Sequence, residues 1–167
     1  MKKQVSTDRT EENIREVLRL LTEMPDRLEK LSKDLSDKNL HEPLGQGERS
    51  FIEALAHILN CEAITTESIY LALMLKEPVM PRFHAEHDLG KLLQLDQMPF
   101  EELIAYFKFR RTVLMKVLGS LNDKQWSRVI REEGKQRKES VFWRARGQAL
   151  HELEHVLDLE KKLKKKS

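Results

Sequence analysis

The stretch from Ser50 to about Lys76 constrains the fold most, because it reads as one long helix that is apolar on nearly every side. Ser50 and Glu53 form an S-x-x-E capping box ahead of the apolar run, which marks the helix start. Phe51, Leu55, Leu59, Ile69 and Leu73 make its main stripe. His57, Ile64, Leu71 and Leu75 fall on the opposite side. A helix apolar all round cannot lie at the surface, so it is expected to be central and packed on two sides. Pro78 and Pro81 follow and stop it.

The remaining apolar residues also recur at helical spacing. A first helix begins near Asp8 to Thr10, with Ile14, Val17, Leu18 and Leu21 on one side. Met24-Pro25 is expected to interrupt it, with Pro25 in the first turn of a short segment from Asp26 to Leu35. Residues 36–49 hold Pro43, Gly45 and Gly47 and read as a loop. Residues 77–98 read as irregular, with a turn of helix around Leu89 to Leu93. Pro99 opens the next helix, which turns Leu103, Phe107, Leu114 and Leu118 inward and stops at Gly119. Residues 120–138 form a connection with a short helix near Trp126. The final helix runs from about Ser140 to Lys164. No run of five or more residues alternates as a half-buried strand would. The expected fold is all-α: one domain over residues 1–167, a bundle of four main helices with short additional helices.

Charge excludes some functions. There are 30 basic and 28 acidic side chains, a formal net charge of +2, without the concentrated basic face that nucleic acid needs. The basic run from Lys161 to Lys166 suits a helix C-terminus. No apolar run approaches the roughly 20 residues of a membrane span. Met1-Lys2-Lys3-Gln4 is followed by no apolar leader, and the single cysteine, Cys61, excludes an intrachain disulfide. The chain is expected to be cytoplasmic, with no nucleic-acid or membrane partner.

The histidines carry the candidate chemistry. His151-Glu152-Leu153-Glu154-His155 places two imidazoles at i and i+4 on one helix face, where they can chelate one metal ion. They lie off the apolar stripe of Phe142, Ala145, Ala149, Leu153, Val156 and Leu163, on a side shared with Arg144, Gln148 and Asp158. They are therefore either solvated or lining a polar cleft. His57 stands on the second side of the central helix, in a place more often held by a hydrogen-bonded structural histidine than by a ligand. Glu53 and Asp158 are each spaced to orient an imidazole or to make a surface ion pair. His41, His84 and His87 fall in expected loops as spare ligands or solvated residues. Cys61, one turn after His57, reads first as a packed small residue.

Gly47-Glu48-Arg49-Ser50-Phe51, followed by Leu55-Ala56-His57-Ile58-Leu59-Asn60-Cys61-Glu62, resembles the segment that begins the second helix of the DinB-like superfamily. Arg110 or Arg111, Trp126, Gly134 and the closing His151-Glu152-x-x-His155 helix are similar to further family features, in order, over about residues 10–160. The sequence departs from the family at Arg49, where an aromatic residue is common, and in the charged segment 131–137. The resemblance implies a four-helix bundle with His57, His151 and His155 around one divalent metal ion, zinc or nickel. Some members transfer a low-molecular-weight thiol. The expected activity is accordingly that of a metal-dependent thiol S-transferase, with a non-catalytic metal-binding bundle as the alternative.

A metal-dependent hydrolase is the third reading. The HELEH stretch also fits H-E-x-x-H, with Glu152 as a protease's general base. Only 12 residues follow His155, too few for a familiar third ligand, and no strand is expected to align a peptide. A homodimer is expected, since the last helix is apolar over a wide arc.

Overall fold

The computed structural model describes residues 5–166 and is built on four long helices. These are α1 (Glu11–Ser32), α3 (Phe51–Met74), α5 (Phe100–Leu118) and α7 (Val141–Lys166); α2 (Asp37–His41), α4 (Lys91–Leu93) and α6 (Asp123–Trp126) are short. A π-helical turn at Ala85–Gly90 and a 3-10 turn at Leu95–Gln97 flank α4. No helix among the described residues is long and apolar enough to cross a membrane.

Local chemistry sets the ends of the long helices. Thr10 accepts from the Asn13 amide at 3.1 Å and starts α1. Ser50 and Glu53 make the expected capping box on α3, with Ser50 N–H donating to Glu53 Oε2 at 2.6 Å. At the other end of α3, Arg128 donates through Nε to the Ala72 carbonyl at 2.7 Å and through Nη2 to that of Leu75 at 2.5 Å. Those last-turn carbonyls have no amide partner within the helix.

Each long helix packs mainly against two others, in the cyclic order α1, α7, α3, α5. The central position of α3 follows from its composition. Phe51, Ile52, Leu55, Ile58, Leu59 and Ile69 are all buried, on more than one side of the helix. Residues predicted to face inward on α5, namely Leu103, Phe107, Leu114 and Leu118, do so.

Three expectations are corrected. Pro25 does not break the first helix, which is continuous from Glu11 to Ser32. Proline at position 25 cannot donate to the Leu21 carbonyl. That oxygen accepts instead from Arg111 Nη1, so its hydrogen bond is restored from another helix. The loop over 36–49 contains α2, capped by Ser36. The connections at 77–98 and 120–138 supply a small sheet of β1 (Val79–Met80), β2 (Val129–Glu132) and β3 (Lys138–Ser140). β1 pairs parallel to β2 with Val79 opposite Arg131, and β2 pairs antiparallel to β3 with Ile130 opposite Glu139. Gly134, at φ +79°, supplies the left-handed turn between β2 and β3. Strands of two to four residues are too short to show an alternating pattern.

Candidate metal centre

The buried face of α7 fixes the register of its two histidines. Val141, Phe142, Ala145, Ala149, Val156 and Leu159 are buried against α1 and α3. Glu152 is buried too, paired with Arg111 of α5 through Nη2···Oε1 at 2.5 Å and Nη1···Oε2 at 3.0 Å. Gln148, one turn earlier, donates to the same carboxylate at 2.7 Å. Glu152 is thus occupied by a guanidinium and an amide, and is no general base of the H-E-x-x-H kind.

With Glu152 anchored inward, His151 and His155 turn toward α3 and meet His57. The Nε2 atoms of His57 and His151 are 3.3 Å apart, and those of His151 and His155 are 3.1 Å apart. One ligand atom from each of the three residues lies within 4.8 Å of the others. All three side chains are half-buried. Zinc holds imidazole nitrogen at about 2.0–2.1 Å, so two nitrogens on a tetrahedral ion sit roughly 3.3–3.4 Å apart. The separations of 3.3 and 3.1 Å lie at or just below that edge, and the third pair of ligand atoms is within 4.8 Å.

The protonation pattern also suits a cation. His57 Nδ1 contacts Glu86 Oε1, and the carboxylate can only accept, so the ring proton belongs on Nδ1. That leaves a bare lone pair on Nε2, facing the other two rings. Burial, then the repulsion that a charge on His155 would meet from His151 and His57, push His155 down to about 4 from an ordinary 6.5. Burial and then His57 push His151 down as well. Both rings are therefore neutral near pH 7, the state in which histidine ligates metal. His151 Nδ1 is buried and has no hydrogen-bond partner among the described residues.

Glu86 is the residue that the sequence did not offer. It lies on the π-helical turn, 29 positions from His57, in a segment expected to be irregular. The carboxylates that spacing suggested are used elsewhere. Glu53 caps α3, and Asp158 pairs with Lys162 at 2.5 Å. Arg49 Nη2 stands 3.7 Å from Glu86 Oε1, so the arginine at the family's aromatic position adds positive charge beside the cluster.

Cys61 Sγ is 3.8 Å from His57 Nε2 but stands outside the three-histidine group. Burial, then the Glu86 charge, push its thiol up to about 11. The spare histidines are not brought to the centre. His84 Nδ1 accepts from the His87 amide at 3.2 Å, and His41 lies 3.8 Å from Asp37.

Comparison with known proteins agrees with this architecture. A search of curated proteins gives no match. Among solved structures, YfiT from Bacillus subtilis is similar, with a TM-score of 0.85 and 14% identity, over 96% of this chain and 91% of that one. YfiT is described as a probable metal-dependent hydrolase with an unusual four-helix bundle topology. At that identity the likeness concerns the fold alone. The sequence profile of the DinB superfamily matches residues 20–159, which take in α3, α5, the three histidines and most of α1 and α7. The chain belongs to the DinB superfamily.

Proposed function

We propose that His57, His151 and His155 hold one divalent metal ion, zinc or nickel, with at least one position left open, and that the protein transfers a low-molecular-weight thiol to an electrophile. The convergence of the three Nε2 atoms, with separations of 3.3 and 3.1 Å, carries the metal assignment. An ion held there would act as a Lewis acid that favours ionisation of a thiol at its open position.

The surrounding residues support a thiol over water. Glu152 is buried against Arg111 and withheld from water, and Glu86 Oε1 already accepts from the His57 imidazole. A thiol loses its proton far more easily than water does and needs no carboxylate base. Hydrolysis, the activity attributed to YfiT by its description, is the second reading.

Two measurements test the proposal. Protein produced without a histidine tag should carry about one metal ion per chain; His57→Ala, His151→Ala and His155→Ala should each lose it, and His84→Ala should keep it. Stoichiometric metal in His57→Ala would sink the assignment. The loaded protein should consume a small thiol in the presence of an electrophile, following thiol loss by colorimetry. Hydrolysis of an ester panel without any thiol consumption would favour the second reading.

A further inference from the structure

We propose that the groove between α3 and α5 is a separate binding site for a small amphipathic carboxylate, an acyl or aryl chain with one acidic head. The groove is a cavity of about 560 Å³, within the range of roughly 300–1,000 Å³ common for small-molecule sites. Ile64 and Tyr70 of α3, Met80 and Phe83 of the β1 region, Leu89 of the π-helical turn and Val113 of α5 give it apolar walls. Phe83 is 48% exposed, Val113 40% and Phe109 on the rim 69%, so large apolar surfaces here face water. Burial of such surface is the driving force for an apolar ligand.

Arg110 sets the head group. Its Nε donates to Glu62 Oε2 at 2.7 Å, and Nη1 reaches Tyr106 Oη at 3.4 Å. Glu62 is fully buried, and its other oxygen accepts from Thr66 Oγ1 at 3.0 Å. The glutamate therefore holds the guanidinium in place and needs nothing further. Nη2 has no protein partner among the described residues, and Arg110 lines the groove. A guanidinium nitrogen held in an apolar cleft with its N–H groups free can donate a charge-assisted hydrogen bond to a carboxylate. Glu67 also lines the groove but is exposed, so water screens its charge. The groove shares no residue with the histidine cluster, so it can be tested whether or not metal is bound.

The probe is decanoate, titrated calorimetrically into the full chain below its micelle-forming concentration. Saturable binding of one decanoate per chain is expected, at least tenfold tighter than decyltrimethylammonium. Val113→Glu, a change at a half-open surface position, should weaken decanoate at least tenfold, while Val113→Gln should weaken it less. Arg110→Gln should also abolish the preference for the anion; since it leaves Glu62 buried without its cation, Val113→Glu is the decisive variant if that protein does not fold. Equal binding of both amphiphiles, or no effect of Val113→Glu, would overturn the proposal. So would the absence of decanoate binding in a wild type that sediments as a dimer and in a Val113→Glu variant that sediments as a monomer. That result would assign the groove to a contact between copies.

Discussion

Arg111 donates to the carbonyl oxygen of Leu21, the group that Pro25 leaves without an amide partner one turn later. The same guanidinium pairs with the buried carboxylate of Glu152. One side chain on α5 thus keeps α1 continuous and fixes α7, the helix that carries two of the three histidines. Removing one partner of a buried pair costs about 3–5 kcal/mol, because the other is left uncompensated. Arg111→Met is expected to destabilise by that order, seen as a lower midpoint in thermal or urea denaturation. Pro25→Ala restores an amide for Leu21, so Arg111→Met should cost less in the Pro25→Ala background than in the wild type. Strict additivity in the double-mutant cycle would refute the link.

Much of this was legible in the sequence. The capping box at Ser50 and Glu53, the two-sided burial of α3 and the i, i+4 placement of His151 and His155 are local, and a local pattern survives folding. The features that escaped depend on partners distant in the chain. Nothing near Pro25 reveals that Arg111 will satisfy Leu21 from 90 residues away. Glu86 sits in a turn without apolar periodicity, so no spacing rule connects it to His57. The three strands are too short to show alternation, and β1 is defined only by its pairing with the distant β2, Val79 opposite Arg131. The HELEH stretch also fits a catalytic motif, a reading that the short tail after His155 and the lack of an expected strand already opposed. The burial of Glu152 beside Arg111 shows the motif being used to anchor the helix.

The thiol of Cys61 should be unreactive. Its ionisation is pushed up to about 11, first by burial and then by the Glu86 charge, so almost no thiolate exists at pH 7.5. The thiolate is the nucleophile in alkylation. Iodoacetamide is expected to label the native protein far more slowly than the urea-unfolded chain, as read by intact mass. Labelling at the unfolded rate would contradict the structure around α3.

The metal-free protein should lose stability as pH falls from about 6.5 toward 4. The folded-state value of His155 lies below its ordinary value, so the unfolded chain binds more protons across that window. The contribution is fully present above 6.5 and is lost as the pH falls through the folded value of about 4. His151 is shifted in the same direction. His155→Gln should flatten the slope of the thermal midpoint between pH 6.5 and 4.5. Carboxylate pairs elsewhere are common to both proteins, so the difference between the two slopes isolates the histidine. A variant slope as steep as that of the wild type would show that His155 is not held neutral by its surroundings.

Glu86 should govern metal affinity although it stands outside the ligand set. Its carboxylate accepts from His57 Nδ1, which directs the Nε2 lone pair toward His151 and His155 and makes the imidazole a stronger base. Loss of such a partner typically costs roughly 10–100-fold in metal affinity. Glu86→Ala is expected to weaken zinc or nickel binding by that factor in competition with a chromogenic chelator. Glu86→Gln keeps an acceptor but no charge, so it should fall between Glu86→Ala and the wild type. Glu53 provides the control, because it lies one turn before His57 on the same helix and its carboxylate accepts from the Ser50 amide. Glu53→Gln should lower helix stability modestly and leave metal affinity unchanged. If Glu53→Gln weakened the metal and Glu86→Ala did not, the orienting carboxylate would be the one suggested by helical spacing, and the π-helical turn would have no part in the centre.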